Sequence, residues 1–553
     1  MASVLQHPLK EKAEVVRKYL PYEPSYWGDF LIRLSSEIDS SVEKRVEELK
    51  KDAKEVIRHA DEPLQKMNLV DVVQRLGLGY DFGEEIDEAL KQINDNACIF
   101  DDLHAFALQF RLLRQWGYKT PSDGFNKFTN EHGKFNENLS SDARGLLSLY
   151  EAAHLGLPGE DILDEAIAFT MHHLPLIKNN NKVSVSLAMD IERALCMPLR
   201  KGMEKLQARQ YISIYEKDDQ RSDTLLELAK LDYNRVQRML QKELKTISLW
   251  WKELALIEKL RFARDRLVEC YFWALGVCPE PHQSRPRRVL AKIITLASVM
   301  DDIYDHYATI KELIPFNDVI QRWDMVAMKQ LPDYMQIFIH ALADTYEEFE
   351  KDLSSEGNSY RIDYLKKAMK DLSRVYLQEA IWGVERYVPT FEEHLSVSLL
   401  SSGYPMLHCA TLVGLEDINL TKEVYDWVIS VPQILQSTAL ISRFMDDIVD
   451  VERDKIKQEE GQVISSVQCY VLEKGISEEE ACLEFQKMIK ESSKTINEEL
   501  LKPSSIPIEA RKPALNLACM MEVIYKDHNS YNEPSGVMKD NIYSLLVNQV
   551  PII

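Results

Sequence analysis

Apolar residues recur at three- and four-residue intervals through nearly the whole of this 553-residue chain, and nowhere do they settle into alternating short runs bounded by turn residues. The first spacing lines one stripe of a helix, whereas the second would line one face of a strand. YKTPSDGFNKF, SSDARGLLSLYEAAHLG and EDILDEAIAFTMHHL each set a capping Ser or Asp, or early acids, ahead of such a stripe. An all-α fold follows. The length exceeds what one core comfortably serves, so two helical domains are expected. The charged break EKDDQRSD, at 216 to 223, divides the chain into an N-terminal domain, 1–220, and a C-terminal domain, 221–553.

The balance of 67 basic and 89 acidic residues gives a net charge of −22, which disfavours nucleic acid as a partner and requires a counter-charge for any anionic ligand. No uninterrupted apolar run is long enough for a membrane span. The opening MASVLQHPLKEKAEVVRKYL has no apolar signal core and carries two glutamates, which fit an organelle transit peptide poorly, so a cytoplasmic protein is expected. The eight cysteines are scattered, without a C-x-x-C pair or zinc spacing, and read as small buried hydrophobes in a reducing compartment. The His172–His173 pair reads as a helix-surface feature.

Two acidic stretches break this pattern. In IITLASVMDDIYDHYAT, 293 to 309, an apolar run leads into Asp301, Asp302 and Asp305; ALISRFMDDIVDVERDK, 439 to 455, repeats the arrangement with Asp446, Asp447, Asp450 and Asp454. On a helix over 289–305, Asp301 and Asp305 share a face and Asp302 is turned about 100° away. Asp446, Asp450 and Asp454 also share a face, with Arg443 on nearly the same side and Asp447 turned elsewhere. Converging carboxylates repel, and near a helix C-terminus they oppose its dipole, so a cation should compensate. Oxygen-only ligands select Mg²⁺ or Mn²⁺ over zinc, and an arginine beside them suits a diphosphate. One such stretch among 89 acids could be a solvated helix end; two, each directly after an apolar run, point to a metal-bridged phosphate ester. Arg264 and Arg266, two residues apart in RFARDRLVECYFW, fit a loop or helix end better than a helix interior.

Together with YEPSYWGDF, FRLLRQWGY, GEDILDEA, ARDRLVECYFWALGV and KDNIYSLLV, in this order and at this spacing, the chain resembles the plant sesquiterpene synthases among class I terpene cyclases. The resemblance implies an N-terminal helical domain without its own chemistry and a C-terminal bundle whose apolar cavity holds the prenyl chain. It implies that Asp301, Asp305, Asp446, Asp450 and Asp454 bind Mg²⁺, three ions in all with Mn²⁺ as a substitute, and that Asp302 and Asp447 support them. It places Arg264, Arg266, Arg443 and Lys455 on the diphosphate, and Trp273, Tyr404, Tyr525 and Tyr531 around the carbocation. Tyr404 falls in the SSGYP helix break, and the implied enzyme is a monomer.

Three departures stand out. Asp450 and Asp454 replace the hydroxyl residue and glutamate usual in the second motif, making it aspartate-rich as in delta-cadinene synthase. Asn529 stands where the family has an acid in its C-terminal lid, leaving Asp527 as the acid nearby. Arg17 and Lys18 form a degenerate version of the family's paired arginines and read as a clamp onto the C-terminal domain. Three loops, at 277–288, 455–462 and 526–536, are candidate lids.

The expected reaction is Mg²⁺-dependent ionisation of farnesyl diphosphate and cyclisation to a sesquiterpene hydrocarbon of cadinane or germacrane-derived type. A chain-elongating prenyl diphosphate synthase also uses two acidic helices, but HYATIKEL follows Asp305 where that enzyme would need an arginine pair. A non-catalytic helical scaffold would leave the paired acidic faces unexplained. Protonation-initiated cyclisation is disfavoured because no D-x-D-D sequence occurs.

Overall fold

The structure is a computed structural model that describes residues 24–34, 40–96, 100–178, 183–416, 420–459 and 463–552. Arg17, Lys18 and Cys98 lie outside the described residues, as do positions 460–462 of the second candidate lid. Among the described residues there are helices and turns, with one isolated antiparallel bridge between Thr129 and Phe135 and no strand. No helix among them is long and apolar enough to cross a membrane.

Two apolar cores fill the N-terminal half. One joins the helices Ser40–Arg58, Pro63–Arg75 and Gly83–Asp95; the other joins Ala143–Ala153 and Asp161–Lys178 to one face of Leu103–Gln115. A third, larger core runs from the middle of the helix Asp223–Leu254 to Leu546 and takes in Trp27, Leu31, Met203 and Leu206 from the N-terminal half. The charged break at 216–222 is a turn, and Ser222 caps the helix that follows by accepting a hydrogen bond from the Leu225 amide at 3.3 Å. That helix serves both halves: Leu225 to Leu231 pack into an N-terminal core, and Val236 to Trp251 into the third. Val550 also returns to the N-terminal side, where its carbonyl and amide pair with the Asn234 side chain at 2.8 Å each.

Two expected segments differ in form. YKTPSDGFNKF contains a short 3-10 turn, Asp123–Phe128, and a Cβ added at Gly124 within it would stand 2.5 Å from the Phe106 ring. In the 277–288 stretch the helix Ser284–Asp302 has already begun at Ser284; Pro286 sits in its first turn, where a missing amide costs no hydrogen bond. Of the candidate lids, only 526–536 is a non-helical loop along its described length. The seven described cysteines are unpaired, and five of them are buried.

Within the third core, the helix Ser284–Asp302 packs on Leu267–Val277 and on Tyr404–Gly414, and Gln433–Val449 packs on Glu478–Leu501 and Ile508–Ile524. These contacts bring the ends of both acidic helices beside the loop that leaves Ile508–Ile524.

Candidate functional site

The first acidic helix ends in a change of winding. Ser284–Asp302 is α-helical, and Ile303–Tyr307 forms a π-turn closed by the Ala308 amide on the Ile303 carbonyl at 3.0 Å. Such inserted turns re-aim side chains at a helix end. Asp301 therefore sits on the last α-turn and Asp305 on the wider one, with Tyr304 anchored between them by its hydroxyl, 2.8 Å from Ser373 Oγ.

Asp302 is fully buried and faces Arg264. Its Oδ2 accepts from the Arg264 backbone amide at 2.8 Å, and its Oδ1 lies 2.9 Å from Arg264 Nε. Burial, with Asp301 alongside, pushes its pKa up to about 6 despite the arginine. Arg264 extends from this anchor, and its Nη2 reaches Asp301 Oδ2 at 2.5 Å. Arg264 and Arg266 lie, as their spacing predicts, in a loop at a helix start: Arg266 is the N-cap residue of Leu267–Val277 and its side chain is buried. Trp27 closes the other side of that helix start through a 2.9 Å hydrogen bond from Nε1 to Glu269.

The second motif straddles a joint between the helices Gln433–Val449 and Val451–Glu459. The amides of Asp450 and Asp454 donate to the carbonyls of Asp446 and Asp450 at 3.0 and 2.8 Å, so the three acids keep one-turn spacing across the joint. Arg443 Nη1 lies 3.4 Å from Asp447 and 3.7 Å from Asp446. Burial opposes the charge of Arg443, and Asp447, Asp446 and Glu379 more than offset it. Asp447 is itself buried and accepts from the Ser466 amide at 2.9 Å. The ammonium of Lys455 is held by Glu452 and Glu478, at 3.0 and 2.9 Å.

Between the motifs stands Glu379, a residue that sequence reasoning did not single out. It accepts from Ser401 Oγ at 2.5 Å, and burial raises its pKa to about 7; the charges of Arg443, Asp301 and Asp447 all reach it. QEAIWGVE carries no local mark, so only packing reveals Glu379.

The aromatic residues gather on one wall. Trp273 is 6.3 Å from the Tyr404 ring and 5.7 Å from the Tyr531 ring, centroid to centroid. Tyr531 donates to Ser298 Oγ at 2.7 Å, and Arg264 lies 5.6 Å from its ring centre. Tyr404 follows Gly403, whose φ of +77° makes the helix break, and its hydroxyl donates to Met521 Sδ at 2.8 Å. Tyr525 ends the helix Ile508–Ile524; burial, with Asp446 and Tyr404 near, drives its pKa well up. All four tyrosine and tryptophan side chains are buried. Asn529 is buried with them, whereas Asp527 is exposed.

The donor set suits a hard divalent cation, being carboxylate oxygen throughout. Among the described residues no three His, Cys, Asp or Glu side chains close tightly enough to hold a metal alone. Mg²⁺ commonly binds one or two carboxylates and completes its shell with water and substrate phosphates, so this open arrangement fits it. A cleft between the halves, lined by Leu76, Lys205, Asp232 and Gln237 among others, includes none of these aspartates.

The terpene synthase family's metal binding domain matches residues 252–495, and its N-terminal domain matches residues 26–195. Sesquiterpene synthase 2 from Toona sinensis is 45% identical over 98% of this chain and 98% of the relative. A (-)-germacrene D synthase from Vitis vinifera is 44% identical over 100% and 99%. The crystal structure of isoprene synthase from grey poplar leaves, in complex with three Mg²⁺ ions and dimethylallyl-S-thiolodiphosphate, is 35% identical and superposes with a TM-score of 0.87, covering 93% of this chain and 98% of that one.

Proposed function

The chain belongs to the terpene synthase family, and from that premise we propose that it is a sesquiterpene synthase, converting farnesyl diphosphate to a cyclic hydrocarbon with release of diphosphate. The observation that carries this reading is the placement of Arg264: one guanidinium is tied to Asp301 and Asp302 and lies beside the ring of Tyr531. A diphosphate held there would leave its prenyl chain against the aromatic wall.

Asp301 and Asp305 would hold cation from one side and Asp446, Asp450 and Asp454 from the other. Three Mg²⁺ ions, with Mn²⁺ as a substitute, would supply positive charge to the departing diphosphate. Arg264, Arg266 and Arg443 receive its oxygens, joined by Lys455 from the helix Val451–Glu459. Donors already in place, where negative charge develops, lower the barrier to C–O cleavage without reorganising. Asp302 and Asp447 keep Arg264 and Arg443 aimed.

The allylic cation then faces Trp273, Tyr404, Tyr525 and Tyr531. Their ring faces attract positive charge, and a buried apolar wall has no water to quench it. The kinship with a germacrene D synthase and the second aspartate-rich motif favour a germacrane-derived or cadinane product. We place the 1–220 domain as a helical support without chemistry of its own, and the enzyme as a monomer. The unpaired cysteines fit a cytoplasmic site of action.

The test is diphosphate release from farnesyl diphosphate by the full-length chain and by Asp446→Asn, each with Mg²⁺ and with excess chelator. Release by the unaltered chain with Mg²⁺ alone is expected. Equal release by both proteins, or release unaffected by chelator, would refute the assignment.

A further inference from the structure

Loop 526–536 carries two side-chain amides that join the two acidic faces. Asn529 Nδ2 donates to Asp446 Oδ1 at 3.1 Å and to Asp450 Oδ2 at 2.9 Å. Its Oδ1 accepts from the Asn532 amide at 3.0 Å, and Asn532 Oδ1 accepts from Arg264 Nη1 at 3.2 Å. Arg264 in turn holds Asp301 and Asp302. A continuous path of hydrogen bonds thus runs from the second aspartate motif, through the loop, to the first.

The residue type at 529 decides whether this path can exist. Asp446 and Asp450 converge, and without a cation their charges repel. An amide nitrogen has two protons and can give one to each carboxylate. A carboxylate at 529 would offer only acceptors and would add a third negative charge at the same point. The expected acid would therefore be pushed away until a cation arrived, whereas Asn529 is drawn in. The loop has other ties, since the Ser530 amide donates to the Ile524 carbonyl at 3.0 Å and Lys526 pairs with the Cys196 carbonyl. These hold its base; over the site it is held by Asn529 and Asn532 together with Tyr531, which donates to Ser298 Oγ and packs on Trp273.

We propose that Asn529 and Asn532 form a clasp that seats the 526–536 loop on both aspartate motifs before any cation binds. They are positioning residues for Asp446, Asp450 and Arg264. The proposal rests on the reading of those side chains as metal and diphosphate ligands, and it implies that loop seating does not wait for metal.

Amide hydrogen exchange of 526–536, in chelator-treated full-length protein without substrate, tests it. The unaltered chain should be protected. Asn529→Asp should exchange at least about tenfold faster in the loop, with the rest of the chain unchanged, and recover protection on adding Mg²⁺ with inorganic diphosphate. Asn532→Ala, which leaves the carboxylates untouched, should also loosen the loop, by at least about threefold, and serves if the first variant fails to fold. A loop as mobile in the unaltered chain as in Asn529→Asp, or one equally protected in all three proteins, would overturn the clasp. Because no turnover is measured, this result is separable from failure of the synthase reading, which the chelator-sensitive diphosphate assay decides.

Discussion

Asp301 and Asp302 are chain neighbours with opposite surroundings. Asp301 is partly exposed at the site, while Asp302 is sealed beneath it as the anchor of Arg264. Asp301→Asn and Asp446→Asn should each lower kcat by about 100-fold or more while the circular dichroism spectrum stays helical. Asp302→Asn keeps the shape but loses the ion pair, so it should raise KM for farnesyl diphosphate by about 10-fold with a smaller change in kcat; steady-state kinetics separate the two patterns. The aspartates and arginines were legible in the sequence because their spacing is a local property. Glu379 was not, since its neighbours Ser401, Arg443 and Asp301 come from distant segments. Buried histidine gives a pH test. His408 Nε2 donates to the Ala510 carbonyl, 2.9 Å away, and burial lowers its pKa to about 4. The folded state thus binds its proton less readily than the unfolded state, so stability is complete above the ordinary histidine pKa and falls as pH drops toward 4. That one group accounts for roughly 3 kcal/mol between pH 7 and 4. The thermal midpoint of His408→Gln should fall less steeply over this range than that of the unaltered chain.

At the scale of elements, the site depends on how helices end. The π-turn after Asp302, the joint at Asp450 and the break at Gly403 each carry a side chain of the candidate site. Gly403 has open space around it but a left-handed backbone, so Gly403→Ala should cost about 1 kcal/mol. Gly414 is the reverse case: an added Cβ would stand 2.4 Å from Pro286 Cα, where the helix Tyr404–Gly414 crosses Ser284–Asp302 backbone to backbone. Gly414→Ala should therefore cost about 3 kcal/mol or more, and thermal unfolding of the two variants checks the order. The SSGYP break was readable because Gly and Pro mark it locally. The π-turn left no such mark, since IYDHY continues a helical pattern and only the hydrogen bonding changes. The early start at Ser284 was obscured by Pro286, which is tolerated in a first turn.

Across the whole molecule, the N-terminal half braces the C-terminal half at named points. Asn497 is buried at the junction: its Nδ2 donates to the His154 and Gly156 carbonyls at 3.1 and 3.0 Å, and its Oδ1 accepts from Arg200 Nε at 2.8 Å. Asp164 pairs with Lys490 and Lys494 at 3.0 and 2.9 Å. Asn497→Ala leaves those groups unsatisfied and should cost about 2 kcal/mol, seen as a lower thermal midpoint without loss of Mg²⁺-dependent turnover at low temperature. The all-helical class was plain from periodicity, but the helix Asp223–Leu254 shows that a charged break in sequence need not separate two cores. The central claim is tested most directly by incubating the purified full-length chain with Mg²⁺ and, separately, geranyl, farnesyl and geranylgeranyl diphosphate, then identifying products by gas chromatography with mass detection. A cyclic sesquiterpene formed from farnesyl diphosphate, and lost when Mg²⁺ is chelated, is the predicted result. Product formation indifferent to chelation, or longer prenyl diphosphates made only when isopentenyl diphosphate is supplied, would contradict it.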